Sequence, residues 1–246
     1  MIELTVEIQT SGGTSDGVLC HNEEGLPCPG VILFTDIGGI RPANLELARR
    51  LASQGYAVLI PNVFYLTGRT PLTPTLRSLP EDAMKQRMME LTQPLTPEAI
   101  ERDAFAYVDF LRSQSCVRPG MMGVVGYCFT GKMALYTAAA RPDKIAAAAS
   151  FHGGGLLTDT PASPHRTLPR IKARLYFGHA TKDRSMPEEA IANLERALEA
   201  WGGRYESETY AGAFHSWTAS DSPVYNPAQA EQAFEKLTRL FAETLT

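Results

Sequence analysis

The sequence predicts an α/β domain with a mainly parallel central sheet flanked by helices, on three observations. Val31-Ile-Leu-Phe34 and Tyr56–Ile60 are short, unbroken apolar runs, the pattern of strands buried on both faces. Between them Leu45, Leu47, Ala48, Leu51 and Ala52 keep helical spacing until Gly55 stops the helix. The same alternation continues to the C-terminus, and a strand–helix–strand rhythm builds parallel sheets.

In chain order, residues 2–9 and 14–20 read as a hairpin turning at Ser11-Gly12-Gly13. A Gly/Pro-rich crossing leads into the Val31 strand, the Asp36–Pro42 loop, the helix to Gly55 and the strand halted by Pro61. Residues 66–97, with Pro71, Pro74, Pro80, Pro94 and Pro97, read as an excursion over the C-terminal edge of the sheet, where such folds bind ligands. It carries a helical piece near Glu81 to Leu91. Its Met84, Met88 and Met89 fit packing against the body, with lining of a pocket as the other use. Thr96 caps a helix from Pro97 to Ser113. Strands follow at Met121–Val125, Ile145–Ser150, Ala173–Phe177 and Tyr205–Tyr210, with helices at Lys132–Ala140, Pro187–Trp201 and Pro227–Leu245. With no internal repeat, one domain over 1–246 is expected.

Composition narrows the function. The chain has 246 residues, 44% hydrophobic, and 23 basic against 27 acidic residues, net −4. Without a basic cluster, nucleic acid is not an expected partner. No apolar run is long enough to span a bilayer, and the start lacks the charged and apolar segments of a signal peptide. Cys20, Cys28, Cys116 and Cys128 are too irregularly spaced for a disulfide framework or a metal site, so free thiols in a cytoplasmic protein are expected. Nothing in the sequence marks an oligomeric state.

Cys128 sits in the turn between the Met121 strand and the Lys132 helix. Such a turn presents its residue at a helix N-terminus, where free N–H groups and the helix dipole favour a thiolate. This is a nucleophile elbow with cysteine in place of serine. The nucleophile then needs a base and a group to orient it, arriving in the order acid, then histidine. Of the downstream His152, His165, His179 and His215, only His179 and His215 lie just beyond predicted strand ends. His215 follows the last strand with acids before it, and Asp183 follows the preceding strand. Cys128, Asp183 and His215 are therefore the expected triad. Two other readings of the turn fail. Gly126 to Lys132 has P-loop spacing, but the position that should hold Mg²⁺ is Met133. A cysteine phosphatase needs an arginine where Ala134 stands.

The stretches Gly-Tyr-Cys128-Phe-Thr-Gly, Asp183-Arg-Ser-Met-Pro and Gly-Ala-Phe-His215-Ser-Trp resemble the dienelactone hydrolase family, from about Gly30 to the C-terminus. The resemblance implies an α/β-hydrolase fold and hydrolysis of a carboxylic ester or lactone through a cysteine thioester, without cofactor or metal. It implies that Asp36, where the family usually has Glu, exchanges a proton with the thiol. It also implies that the N–H groups of Ile37 and Phe129 form the oxyanion hole. Two arginines that grip a substrate carboxylate in the family are replaced by Leu66 and Ala219. Arg41 and Arg69 stand nearby as substitutes, and Phe64, Tyr65, Phe151, His152 and Trp217 as pocket walls. A neutral ester or lactone is the other substrate reading. A redox-responsive or ligand-binding protein that keeps the thiol without turnover is the alternative from a different class.

Overall fold

The computed structural model describes residues 1–70, 72 and 79–245; Pro71, Pro74 and the adjoining part of the proline-rich excursion lie outside them. Among the described residues a single sheet has eight strands. They are β1 (Ile2–Thr10), β2 (Gly13–His21), β3 (Gly30–Phe34), β4 (Ala57–Pro61), β5 (Met122–Tyr127), β6 (Ile145–Phe151), β7 (Arg174–Lys182) and β8 (Tyr205–Phe214). Their spatial order is β1-β2-β4-β3-β5-β6-β7-β8. The β1–β2 hairpin and the β2–β4 pair are antiparallel, and every later pair is parallel. The expected fold is present, with its hairpin at one edge.

The helices are α1 (Pro42–Ser53), α2 (Glu81–Thr92), α3 (Pro97–Ser113), α4 (Gly131–Ala140), α5 (Glu188–Trp201) and α6 (Pro227–Thr244). They divide between the two faces because alternate strand residues point to opposite sides. Ile32, Phe34 and Leu59 pack with Val108, Leu111, Leu135 and Leu194 of α3, α4 and α5. Val31, Leu33, Val58 and Ile60 pack with Ala48, Leu51, Leu237 and Phe241 of α1 and α6. Strands β3, β4 and β5 are buried throughout, which is why they read as unbroken apolar runs. Thr96 caps α3 by accepting the Ala99 N–H, as its position implied. None of these helices is long and apolar enough to cross a membrane.

The strand ends that carry the site extend beyond their apolar runs. β7 continues to Lys182 and β8 to Phe214, paired to each other through a register shift between Ala180 and Lys182. This corrects the expectation for His179, which lies inside β7 and is 1% exposed rather than beyond the strand end. His215, by contrast, directly follows β8.

Candidate active site

Four strand ends converge on Cys128. β5 delivers it, β3 delivers the loop from Asp36, β7 leads to Asp183, and β8 leads to His215. Cys128 has φ 59°, a left-handed conformation that costs a non-glycine residue energy and is characteristic of strained functional turns. Gly126 makes the turn possible, since a Cβ there would lie 2.2 Å from the Thr130 carbonyl oxygen. Thr130 stands one residue before Gly131, fully buried. Its hydroxyl accepts the Tyr127 N–H at 3.0 Å and lies 3.2 Å from the Phe34 carbonyl, tying the elbow to β3.

A continuous hydrogen-bonded line joins the three expected residues. His215 Nε2 lies 3.0 Å from Cys128 Sγ, and His215 Nδ1 lies 2.7 Å from Asp183 Oδ2. The other carboxylate oxygen of Asp183 accepts from the Ser185 N–H at 2.8 Å and the Ser185 hydroxyl at 2.6 Å. That serine was not foreseen, although Asp followed two residues later by Ser is a local turn pattern. Burial works against charge on His215, but its hydrogen bonds to Asp183 and Cys128 prevail and raise its pKa to about 10. Burial likewise opposes ionisation of Asp183, yet its bonds from His215 and Ser185 hold it below the ordinary carboxylate range.

A cavity of about 200 Å³ opens beside Cys128, lined by Asp36, Ile37, Gly38, Arg41, Met84, Met88, Ser216, Ala219 and Ser222. Met84 and Met88 thus both reach the pocket, the second of the two uses the sequence offered, while Met88 also packs against the core as expected. Met89 points outward and is 64% exposed. Ala219 stands in the wall where the family resemblance expects an arginine.

Asp36 and Arg41 share this wall and bind each other. Asp36 Oδ1 accepts from the Gly38 N–H at 2.8 Å and from Arg41 Nη1 at 2.7 Å, while its Oδ2 accepts from Arg41 Nη2 at 2.7 Å. The same guanidinium donates through Nε and Nη2 to Asp221 at 2.7 and 3.1 Å, and through Nη1 to Asn44 at 3.0 Å. These bonds engage all five guanidinium N–H hydrogens. Arg69 is turned to Asp16 of β2 at 3.0 Å with its side chain 64% exposed. The Tyr65 hydroxyl bonds Thr10 and Asp103, away from Cys128. Phe64, Phe151 and Trp217 are buried in the protein body. Trp217 packs edge-on to His152, which in turn packs edge-on to His215. The Lys132 ammonium, the lysine of the P-loop-like spacing, lies 3.9 Å over the Phe129 ring. Among the described residues no group of three His, Cys, Asp or Glu side chains is arranged to hold a metal ion.

Comparison with known proteins agrees with this architecture. The family model for dienelactone hydrolases matches residues 16–245. A carboxymethylenebutenolidase of Rhodococcus opacus is 30% identical over 219 residues, covering 88% of this chain and 81% of the relative. Among solved structures, m3DLH superposes with a TM-score of 0.81 at 26% identity, covering 99% of this chain and 98% of that one. The dienelactone hydrolase of Anabaena variabilis superposes at 0.71 and 18% identity, covering 99% and 98%, a likeness of fold. With its sheet order, its elbow and a match over nearly its whole length, the chain belongs to the dienelactone hydrolase family, as a hydrolase of that type acting on a small molecule.

Proposed function

We propose that this hydrolase cleaves carboxylic esters or lactones through a thioester on Cys128. The observation that carries the reading is the line Asp183–His215–Cys128, with contacts of 2.7 and 3.0 Å. His215, oriented by Asp183, takes the thiol proton. The Cys128 sulfur attacks the ester carbonyl carbon, and the carbonyl electrons move to oxygen. The N–H groups of Ile37 and Phe129 receive that oxyanion, each such donor being typically worth about 3–4 kcal/mol. As the intermediate collapses, the C–O bond to the alcohol breaks and His215 returns its proton to the leaving oxygen. A water, deprotonated by His215, then attacks the thioester carbonyl and releases the acid and the thiol.

Asp36 lines the pocket beside Cys128 in this reading, with both its carboxylate oxygens held by Arg41. Arg41 is assigned to hold Asp36 rather than a substrate carboxylate, because its N–H groups are already spent. Met84, Met88 and Ile37 supply the apolar contact for the acyl group.

Cys128→Ala is expected to lower turnover of p-nitrophenyl acetate by at least about a thousandfold while leaving the melting temperature near that of the native chain. Undiminished turnover contradicts the reading. Rapid alkylation of Cys128 in a chain that cleaves no ester would favour the redox-responsive or ligand-binding alternative.

A further inference from the structure

We infer that His152 is a positioning residue for the nucleophile. It locks the elbow from behind and makes no contact with substrate. The inference rests on the reading of Cys128 as nucleophile.

Both nitrogens of the ring are engaged inside the protein. His152 is 1% exposed. Its Nδ1 lies 3.0 Å from the Cys128 backbone nitrogen, and its Nε2 lies 2.8 Å from Thr218 Oγ1. A backbone N–H can only donate, so Nδ1 is the acceptor and the ring proton sits on Nε2, where it donates to Thr218. Both nitrogens are thereby used inside the protein, and none remains for a substrate. The ring also packs in edge-to-face pairs with His215 and Trp217, centred 5.1 and 5.2 Å away, beside a cavity lined by Asp36, Tyr127 and Thr218.

Such a lock is needed at this point. Cys128 leaves the β5 ladder with φ 59°, and His152 leaves β6 with φ 41°. Left-handed residues persist only where their surroundings over-determine them. The His152 N–H is fixed by the Gly178 carbonyl at 2.7 Å, which anchors the acceptor before it meets Cys128. The bond also separates two neighbouring amides. The Cys128 N–H is drawn backwards to imidazole, which leaves the Phe129 N–H as the elbow's donor for the oxyanion.

The ring must stay neutral for this, since a second proton on Nδ1 would remove the acceptor and set a cation against His215. Burial and the nearby His215 charge hold its pKa well below the ordinary histidine value, while Asp183 pulls the other way.

The test compares His152→Asn, His152→Gly and His152→Leu using p-nitrophenyl acetate, beside imidazole ¹⁵N spectra of the native chain. Asn tolerates left-handed backbone and keeps an acceptor near the Nδ1 position. Gly tolerates the backbone but has no acceptor, and Leu fills the space without one. The expected result is kcat within about threefold of native for Asn, kcat down at least about tenfold for Gly and Leu, and KM changed by less than about threefold in all. The spectra at pH 7 should show Nδ1 unprotonated and Nε2 protonated, a result that does not depend on any variant folding. A proton on Nδ1, equal losses in Asn and Gly, native kcat in Gly, or a rise in KM at constant kcat would each overturn the inference. If Cys128→Ala retains turnover while the spectra stand, the nucleophile reading fails instead.

Discussion

At the scale of single residues, the site depends on side chains that aim others. Ser185 spends its N–H and hydroxyl on one oxygen of Asp183, leaving the other to face His215 Nδ1. Hydrogen bonds to charged groups are worth roughly 1.5–3 kcal/mol, and part of that here is orientation. Ser185→Ala should lower kcat about three- to tenfold at nearly constant KM, measured by steady-state hydrolysis of an activated ester; a larger change in KM than in kcat would argue for a substrate contact. The approach of Asp183 and His215 to Cys128 was legible because chain order and strand ends limit which residues can reach the turn. Arg41 was legible only as a cation near the pocket. Whether a loop guanidinium turns to a substrate or to a carboxylate five residues away depends on tertiary geometry, and here Asp36, Asn44 and Asp221 take it. His152 was legible only as a pocket wall for the same reason: spacing does not reveal which way a loop imidazole faces.

At the scale of elements, the elbow exists because β5 and α4 approach too closely for a side chain at Gly126. A Cβ there meets the Thr130 carbonyl oxygen at 2.2 Å, which is backbone and cannot give way cheaply, whereas at Gly123 it meets the Phe241 ring at 2.6 Å, a side chain of α6. Gly126→Ala should therefore destabilise more than Gly123→Ala, by ~3 kcal/mol or more from native in urea unfolding, with loss of esterase activity. Similar losses in both variants would mean that the elbow is more yielding than its geometry implies. The central strands were readable because burial on both faces demands apolar residues throughout. The ends of β7 and β8 were not, since Thr181 and Lys182 are polar and exposed and Gly212 interrupts the apolar run after Tyr210, across a shift in pairing register. Helix α2 was readable as a helix, but its inward-facing Met84 and Met88 were not, because methionine suits a packed core and a pocket wall equally well.

At the scale of the whole molecule, buried His179 and half-buried His215 set opposite pH limits on stability. His179 is 1% exposed, neither ring nitrogen has a partner among the described residues, and burial lowers its pKa to about 4. The unfolded chain takes up that proton near pH 6.5, so native stability falls as pH drops from about 6.5 towards 4. For His179 alone the loss is on the order of 3 kcal/mol, and His152 adds to it in the same direction. His215 has the opposite sign. With its pKa raised to about 10, its contribution is fully present below about pH 6.5 and is lost as pH rises through 10. Urea unfolding of His179→Leu should show a flatter acid limb than the native chain, and an unchanged slope would assign the acid loss elsewhere. The apolar runs and the helical spacing between them had already bounded the fold class. What remained hidden at this scale was the cost of neutral buried imidazoles, which depends on packing alone.

The central claim is that Cys128 carries the acyl group. Acid quenching of the native chain mixed with p-nitrophenyl acetate, followed by peptide mass mapping, measures this directly. One acetyl group on the peptide containing Cys128, labile to hydroxylamine and absent in Cys128→Ala, is the expected result. Acetate released at the native rate with no acetyl on Cys128, or with the label on another residue, would contradict the account.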